Sequence, residues 1–232
     1  RNTKKIKIII LNEKLAEFIG VYLGDGTMTK YFIKISGDFR VDVPYFLHLK
    51  ELIKDVFGID SSISKDKKWN TLYLTVFSKS VCGIFNEKFG LKPGNKIRNK
   101  SKIPEQILGN RELATACLRG LIDTDGSISR RGRKGSQFCI QFTSHNKILL
   151  KQVYDLGKSL GIFTFVDKHG TGTNKWGNII KYFRIIGSSN LRHIVRFYEK
   201  FSKNNTLYQR EVIKYYQKDF YRSIKLPYRL AS

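Results

Sequence analysis

This 232-residue chain is written twice over, and the duplication limits its possible folds more than any other property. Residues 18–26 read Phe-Ile-Gly-Val-Tyr-Leu-Gly-Asp-Gly, and residues 118–126 read Leu-Arg-Gly-Leu-Ile-Asp-Thr-Asp-Gly. Both fit apolar-x-Gly-apolar-x-x-small-Asp-Gly, with the Asp-Gly pairs 100 residues apart. The likeness continues downstream. A strand-like stretch leads into an amphipathic helix that ends at Lys54–Ile59 in one copy and Lys158–Ile162 in the other. More strands follow, then a helix near 79–89 with a counterpart near 189–201. Self-similarity of this kind marks one structural unit used twice. The expected units are residues 1–91 and 105–232, joined by a linker at 92–104 rich in Lys, Asn, Pro and Gly.

Hydrophobic spacing predicts the elements. Leu15, Phe18, Ile19, Tyr22 and Leu23 define a helix over Asn12–Gly24, with Asn12 as N-cap; its counterpart runs from Arg111 to Thr124. Gly20 and Gly24 lie on one face of the first helix, as Gly120 and Thr124 do on the second. A glycine inside a helix costs about 1 kcal/mol relative to alanine, so its repetition predicts that the two helices pack backbone to backbone at a pseudo-twofold. Period-two alternation predicts strands at Lys30–Ser36 and Thr71–Phe77. In the second unit it turns Phe138, Ile140, Phe142, Phe183 and Ile185 inward. The outward faces carry Lys30, Phe32, Lys34, Ser36, Thr71, Tyr73 and Thr75 in one unit and Gln137, Cys139, Gln141, Tyr182 and Arg184 in the other.

The formal net charge is +24, a surplus of 9 in residues 1–100 and of 15 in residues 101–232. Self-repulsion on that scale calls for a polyanionic partner, either nucleic acid or an anionic membrane. The longest aliphatic run, Ile8–Leu11, is far short of the roughly 20 residues that cross a bilayer. Polar faces on a basic chain therefore point to groove reading and phosphate contact. The tips would be Lys65, Lys67 and Lys68 in one unit, and Arg131, Arg133 and Lys134 beyond Ser127 and Ser129 in the other. Three cysteines, Cys82, Cys117 and Cys139, form no CxxC pair. That excludes a disulfide framework and a zinc ribbon, and places the chain in a reducing, intracellular compartment.

Asp25 and Asp125 each end an apolar helix, at the negative end of its dipole. If the helices pair, the two carboxylates also repel, by about 4 kcal/mol at 4 Å and an effective dielectric near 20. A structural role repays none of this. A divalent cation between them does, and oxygen-only ligands beside a polyanion indicate Mg²⁺.

With these residues in place, the chain resembles a single-chain, two-repeat LAGLIDADG homing endonuclease; Leu118–Gly126 matches the motif closely and Phe18–Gly26 more loosely. The resemblance implies an α+β fold of two αββαββα repeats, with paired motif helices at the interface and two antiparallel sheets forming a DNA-binding saddle. It also implies Mg²⁺-dependent double-strand cleavage of a long asymmetric site by a monomer. Asp25 and Asp125 would be the catalytic, metal-binding acids, with Gly24 and Thr124 beside them in the metal set. Asp123 falls on an acidic motif position that is not catalytic in the family. Lys96 is the first candidate for the basic catalytic residue, ahead of Lys92, with Lys203 as a counterpart in the second repeat. His145 or Ser144 would position water in the second repeat, and Asp38 or Arg40 in the first; Arg40 is also a DNA-contact candidate. His48, His169 and His193 have no partner spacing and read as structural. Two alternatives stand beside the nuclease. One is an intron-encoded RNA maturase using the same basic saddle on host intron RNA; the other is a non-catalytic DNA-binding regulator.

Overall fold

The computed structural model describes residues 6–66, 68–131, 137–173 and 179–187. The first repeat runs α1 (Glu13–Asp25), β1 (Gly26–Met28), β2 (Phe32–Asp38), α2 (Val43–Phe57), β3 (Ser62–Asp66), β4 (Thr71–Phe77) and α3 (Lys79–Glu87). A short helix α4 (Glu105–Leu108) precedes the second: α5 (Arg111–Asp125), β5 (Gly126–Arg131), β6 (Gln137–Ser144), α6 (Lys147–Ser159), β7 (Phe163–Thr173) and β8 (Ile179–Gly187). Each repeat builds an antiparallel four-stranded sheet, in the orders β1-β2-β4-β3 and β5-β6-β8-β7. The strand order is the same, so the duplication seen in the motif extends to topology.

Local chemistry explains where the elements begin. Asn12 accepts from the Leu15 amide at 3.0 Å, and Asn110 accepts from the Glu112 and Leu113 amides, so both motif helices start on an asparagine cap. The buried face of α1 packs Phe18 edge-on against Phe57 and Phe85, and Tyr22 edge-on against Phe85. Ile33 and Ile35 of β2, and Leu72, Leu74 and Val76 of β4, complete the apolar layer beneath the first sheet. Ile140 and Phe142 do so in the second.

The two repeats meet along α1 and α5. A Cβ placed on Gly20 would stand 2.1 Å from the Cys117 carbonyl oxygen, and one on Gly120 would stand 2.2 Å from that of Glu17. These contacts are reciprocal under a 100-residue shift, as a pseudo-twofold requires. Nearer the C-terminal ends, a Cβ on Gly24 would meet the Thr124 hydroxyl at 2.0 Å. The glycines therefore return their helix penalty as close backbone approach.

Several expectations need correction. β2 begins at Phe32, two residues late, because Lys30 and Tyr31 belong to the β1–β2 turn; Thr29 Oγ1 accepts from the Tyr31 and Phe32 amides there. Lys30 is thus a turn residue, and Tyr31 is exposed. β2 also extends through Gly37 and Asp38, two residues past its expected end at Ser36. Lys65 stands opposite the inward Leu72, so it lies on the other side of the sheet from Tyr73; its ammonium sits 3.1 Å from the centre of the Phe39 ring. Thr75 has the outward parity but is buried, flanked in register by Lys34 and Ser62. The helix expected at 189–201, Lys67, Arg133, Lys134, His193, Lys203 and the stretch 219–232 lie outside the described residues.

Candidate active site at the helix pair

Asp25 and Asp125 are the last helical residues of α1 and α5. Helix pairing brings them together: the Asp125 carboxyl carbon lies 3.6 Å from where a Cβ on Gly24 would be. Burial, and then the neighbouring Asp125 charge, push the Asp25 carboxyl up to about 7, although Lys96 partly offsets them. Asp125 is also held above the ordinary carboxylate range, by burial, against the opposing charges of Lys96 and His145. Two half-buried acids whose ionisation is suppressed despite the Lys96 charge form a site that a further cation would stabilise.

Lys96 reaches into this site from the linker. Its ammonium donates to the carbonyls of Tyr22 at 3.1 Å and Leu23 at 2.8 Å, and also to that of Gly24. The Tyr22 carbonyl also accepts from the Gly26 amide, and those of Leu23 and Gly24 lie in the last turn, where a helix runs out of its own donors, so Lys96 caps α1. Burial lowers the Lys96 pKa, while Asp125 and Asp25 support its charge.

A pocket of about 330 Å³ opens on the Asp125 side, lined by Gly24, Lys96, Ile97, Ser101, Asp125, Thr143, Ser144, His145 and Asn146 among others. Lys96, His145 and Ser144, each proposed from sequence for the chemistry, therefore share one cavity with Asp125. Lys92 and Asp38 are not among its lining residues. Arg40 donates from Nε to Asp38 at 3.0 and 3.1 Å, so these two rivals neutralise each other. Thr124 turns its hydroxyl back onto the Gly120 and Leu121 carbonyls at 2.9 and 3.0 Å, and the Gly24 carbonyl accepts from Lys96. Of the four expected metal-set residues, only the aspartates present side-chain oxygens not committed to their own helix. Two carboxylates and nearby carbonyls are hard oxygen donors of the class that suits Mg²⁺, Mn²⁺ or Ca²⁺.

The linker carrying Lys96 is fastened to the second repeat. Asn146 Nδ2 donates to the Ser101 carbonyl at 2.5 Å while its Oδ1 caps α6. Gln152 binds Ile103 twice, accepting from its amide at 2.8 Å and donating to its carbonyl at 3.2 Å.

Sequence reasoning missed one cluster altogether. Glu17 of α1 is 5% exposed and receives Arg119 of α5 from Nε at 3.1 Å and from Nη2; His48 of α2 meets its other oxygen at 3.1 Å. Burial raises the Glu17 pKa, but the bonds from His48 and Arg119 outweigh it and leave the acid below its ordinary range. The available signal was a charge in each motif helix on an otherwise apolar stretch.

Outward rows of the first sheet follow from the registers: Phe32–Phe77, Thr27–Lys34–Thr75–Ser62, Ser36–Tyr73–Ser64 and Asp38–Thr71–Asp66. Lys34 lies 5.5 and 5.0 Å from the Phe32 and Tyr73 ring centres. Lys68, beside Trp69, occupies the β3–β4 turn, as a tip should. In the second sheet Ser127 pairs with Gln141, Ser129 with Cys139, Arg131 with Gln137 and Thr143 with Arg184, while Tyr182 stands opposite Gly170. Those pairings keep the expected outward residues in register with one another.

Residues 112–202 match the family model of the LAGLIDADG-like domain. The chain carries a LAGLIDADG-like domain over those residues. Its fold is that of the LAGLIDADG homing endonucleases. I-WcaI bound to its DNA recognition sequence superposes with a TM-score of 0.54 at 13% identity, covering 89% of this chain and 88% of that one. I-DmoI in complex with DNA and Mn gives 0.50 at 17% identity, covering 84% and 98%. Among curated relatives, the replication factor C small subunit of Methanocaldococcus jannaschii is 32% identical over 185 residues, which is 78% of this chain but 9% of that protein. The RNA polymerase subunit Rpo1C of the same organism is 27% identical over 162 residues, 69% of this chain and 17% of that protein. The chain thus spans less than a fifth of either relative, and what it shares with them is a segment.

Proposed function

We propose that this chain is a site-specific DNA endonuclease that makes double-strand breaks with a divalent cation, Mg²⁺ in the cell. The observation that carries the reading is the meeting of Asp25 and Asp125, one acid from each repeat, at the joined ends of α1 and α5. A protein that only bound RNA or DNA would be more stable without that repulsion, which speaks against the maturase and regulator readings. I-WcaI and I-DmoI, which share the fold, are DNA-bound in their structures. Both acids come from one chain, so a monomer suffices, with double-stranded DNA as its partner.

The two carboxylates, with the Gly24 and Thr124 carbonyls, would hold the ion. Bound there, it supplies charge neutralisation at the scissile phosphate and lowers the pKa of water. The chain's own groups do the rest. Lys96 brings an ammonium to the phosphate oxygens from the pocket it lines. His145, exposed on the same pocket, takes a proton from the attacking water at a ring nitrogen. Lys34, Tyr73 and Ser36 meet base edges or phosphates, and Lys68 meets the backbone beyond them.

The test is incubation of the protein with a plasmid library of randomised inserts in Mg²⁺. Linear product from a recoverable subset of plasmids is expected. Intact plasmid at every protein concentration, with DNA bound, would overturn the nuclease in favour of a binding protein. Replacing Mg²⁺ by Ca²⁺ should keep binding and stop turnover.

A further inference from the structure

The oxygen-rich end of α1 already holds a cation that belongs to the protein. The Lys96 ammonium donates to three successive carbonyls, those of Tyr22, Leu23 and Gly24, and lies in the field of both Asp25 and Asp125. It arrives from the linker, 71 or more residues away in sequence, on a loop pinned to the second repeat through Ser101 and Ile103. An ammonium there does two jobs a metal would do: it satisfies carbonyl lone pairs and offsets paired carboxylates. A divalent ion recruited by the same acids would repel it twice as strongly as a monovalent one. Both would also compete for the Gly24 carbonyl. The side chain has somewhere to go, because Lys96 lines the pocket of about 330 Å³ that also contains Asp125 and His145.

We propose that Lys96 is the resident counter-ion of the acid pair, holding the metal-free site together and leaving the α1 carbonyls for the adjoining pocket when a divalent cation binds. The displacement delivers its charge to where a phosphate would lie. Metal loading and presentation of the catalytic ammonium then become one event. The inference rests on Asp25 and Asp125 being a cation site.

The test uses the full chain without DNA, with Ca²⁺ as the probe. Calorimetry first establishes whether Ca²⁺ binds. Lys96 acylation by an N-hydroxysuccinimide ester is then followed by peptide mass spectrometry, in chelator and at saturating Ca²⁺. A rise of at least fivefold at Lys96, with other lysines unchanged, is expected. Equal labelling with Ca²⁺ bound would overturn the displacement. No Ca²⁺ binding at millimolar concentration would overturn the cation site itself, and the proposal with it. In addition, Lys96→Met should melt below wild type in chelator, and Ca²⁺ should close most of the gap while binding at least tenfold more tightly. A gap that persists unchanged in Ca²⁺ would show Lys96 to be a helix cap alone.

Discussion

Asp25 carries its charge against two opponents, low local polarity and the like charge of Asp125, and is pushed up to about 7 from an ordinary 3.8. The folded, metal-free protein therefore retains a proton, between about pH 4 and pH 7, that the unfolded chain has released. Stability falls as pH rises through that window, because the native state binds more protons than the unfolded one. Asp25→Asn removes the conflict. In chelator at pH 8 the variant should be more stable than wild type, by roughly 2–4 kcal/mol, and its melting temperature should change less from pH 5 to pH 8. Thermal melts across that range check both. Glu17 makes the opposite case, a buried acid that depends on its partners. Arg119→Met would leave it without its guanidinium, at a cost of roughly 3–5 kcal/mol in denaturant titrations. Glu17→Gln should cost less, since His48 and Arg119 keep a hydrogen-bonding partner.

Between α1 and α5 there is no room for a methyl group. Gly20→Ala or Gly120→Ala would drive a Cβ against a carbonyl 2.1 or 2.2 Å away, and backbone cannot yield as a side-chain tip can. Each should cost about 3 kcal/mol or more and reduce cleavage, measured by chemical denaturation and plasmid assay, through displacement of the aspartates beyond. This interface was legible in the sequence because glycines four apart in a helix have few other physical explanations. The strands were legible only in part. Alternation in Tyr31, Ile33 and Ile35 runs on into the turn, so period two places no start for β2. β3, Ser62–Asp66, contains one apolar residue, and a single point fixes no phase, so the sequence does not say that Lys65, expected at a tip, lies in the strand on the Leu72 side. The linker clamp was invisible as well, since Asn146 and Gln152 reach across 45 and 49 residues to Ser101 and Ile103.

Across the whole molecule, duplication does what no single repeat can: it places one acid from each half at one point and spreads a surplus of positive charge over both halves. Half of the site could be read from the chain, the aspartates by their repetition and Lys96 and His145 by their place in the family pattern. Long-range pairing carried the rest. The Lys96 contacts with α1 and the Glu17–Arg119 bond span 72 to 74 and 102 residues, and no local pattern encodes them. Charge on the sheet also has to be counted after its partners are known. Lys34 stands on the outward face, whereas Arg40 is matched by Asp38. In anisotropy titrations with target DNA and Ca²⁺, Lys34→Ala should reduce the slope of log affinity against log salt by about 0.9, the release of one phosphate counterion. Arg40→Ala should leave it nearly unchanged.

The most direct test of the paired acids is a single comparison in Mg²⁺, on a site recovered from the library, of wild type, Asp25→Asn and Asp125→Asn. Wild type should yield linear DNA. Each variant should lose linearisation at least 100-fold while binding the same DNA in Ca²⁺ as tightly as wild type. Linear product at the wild-type rate from either variant would contradict the shared site.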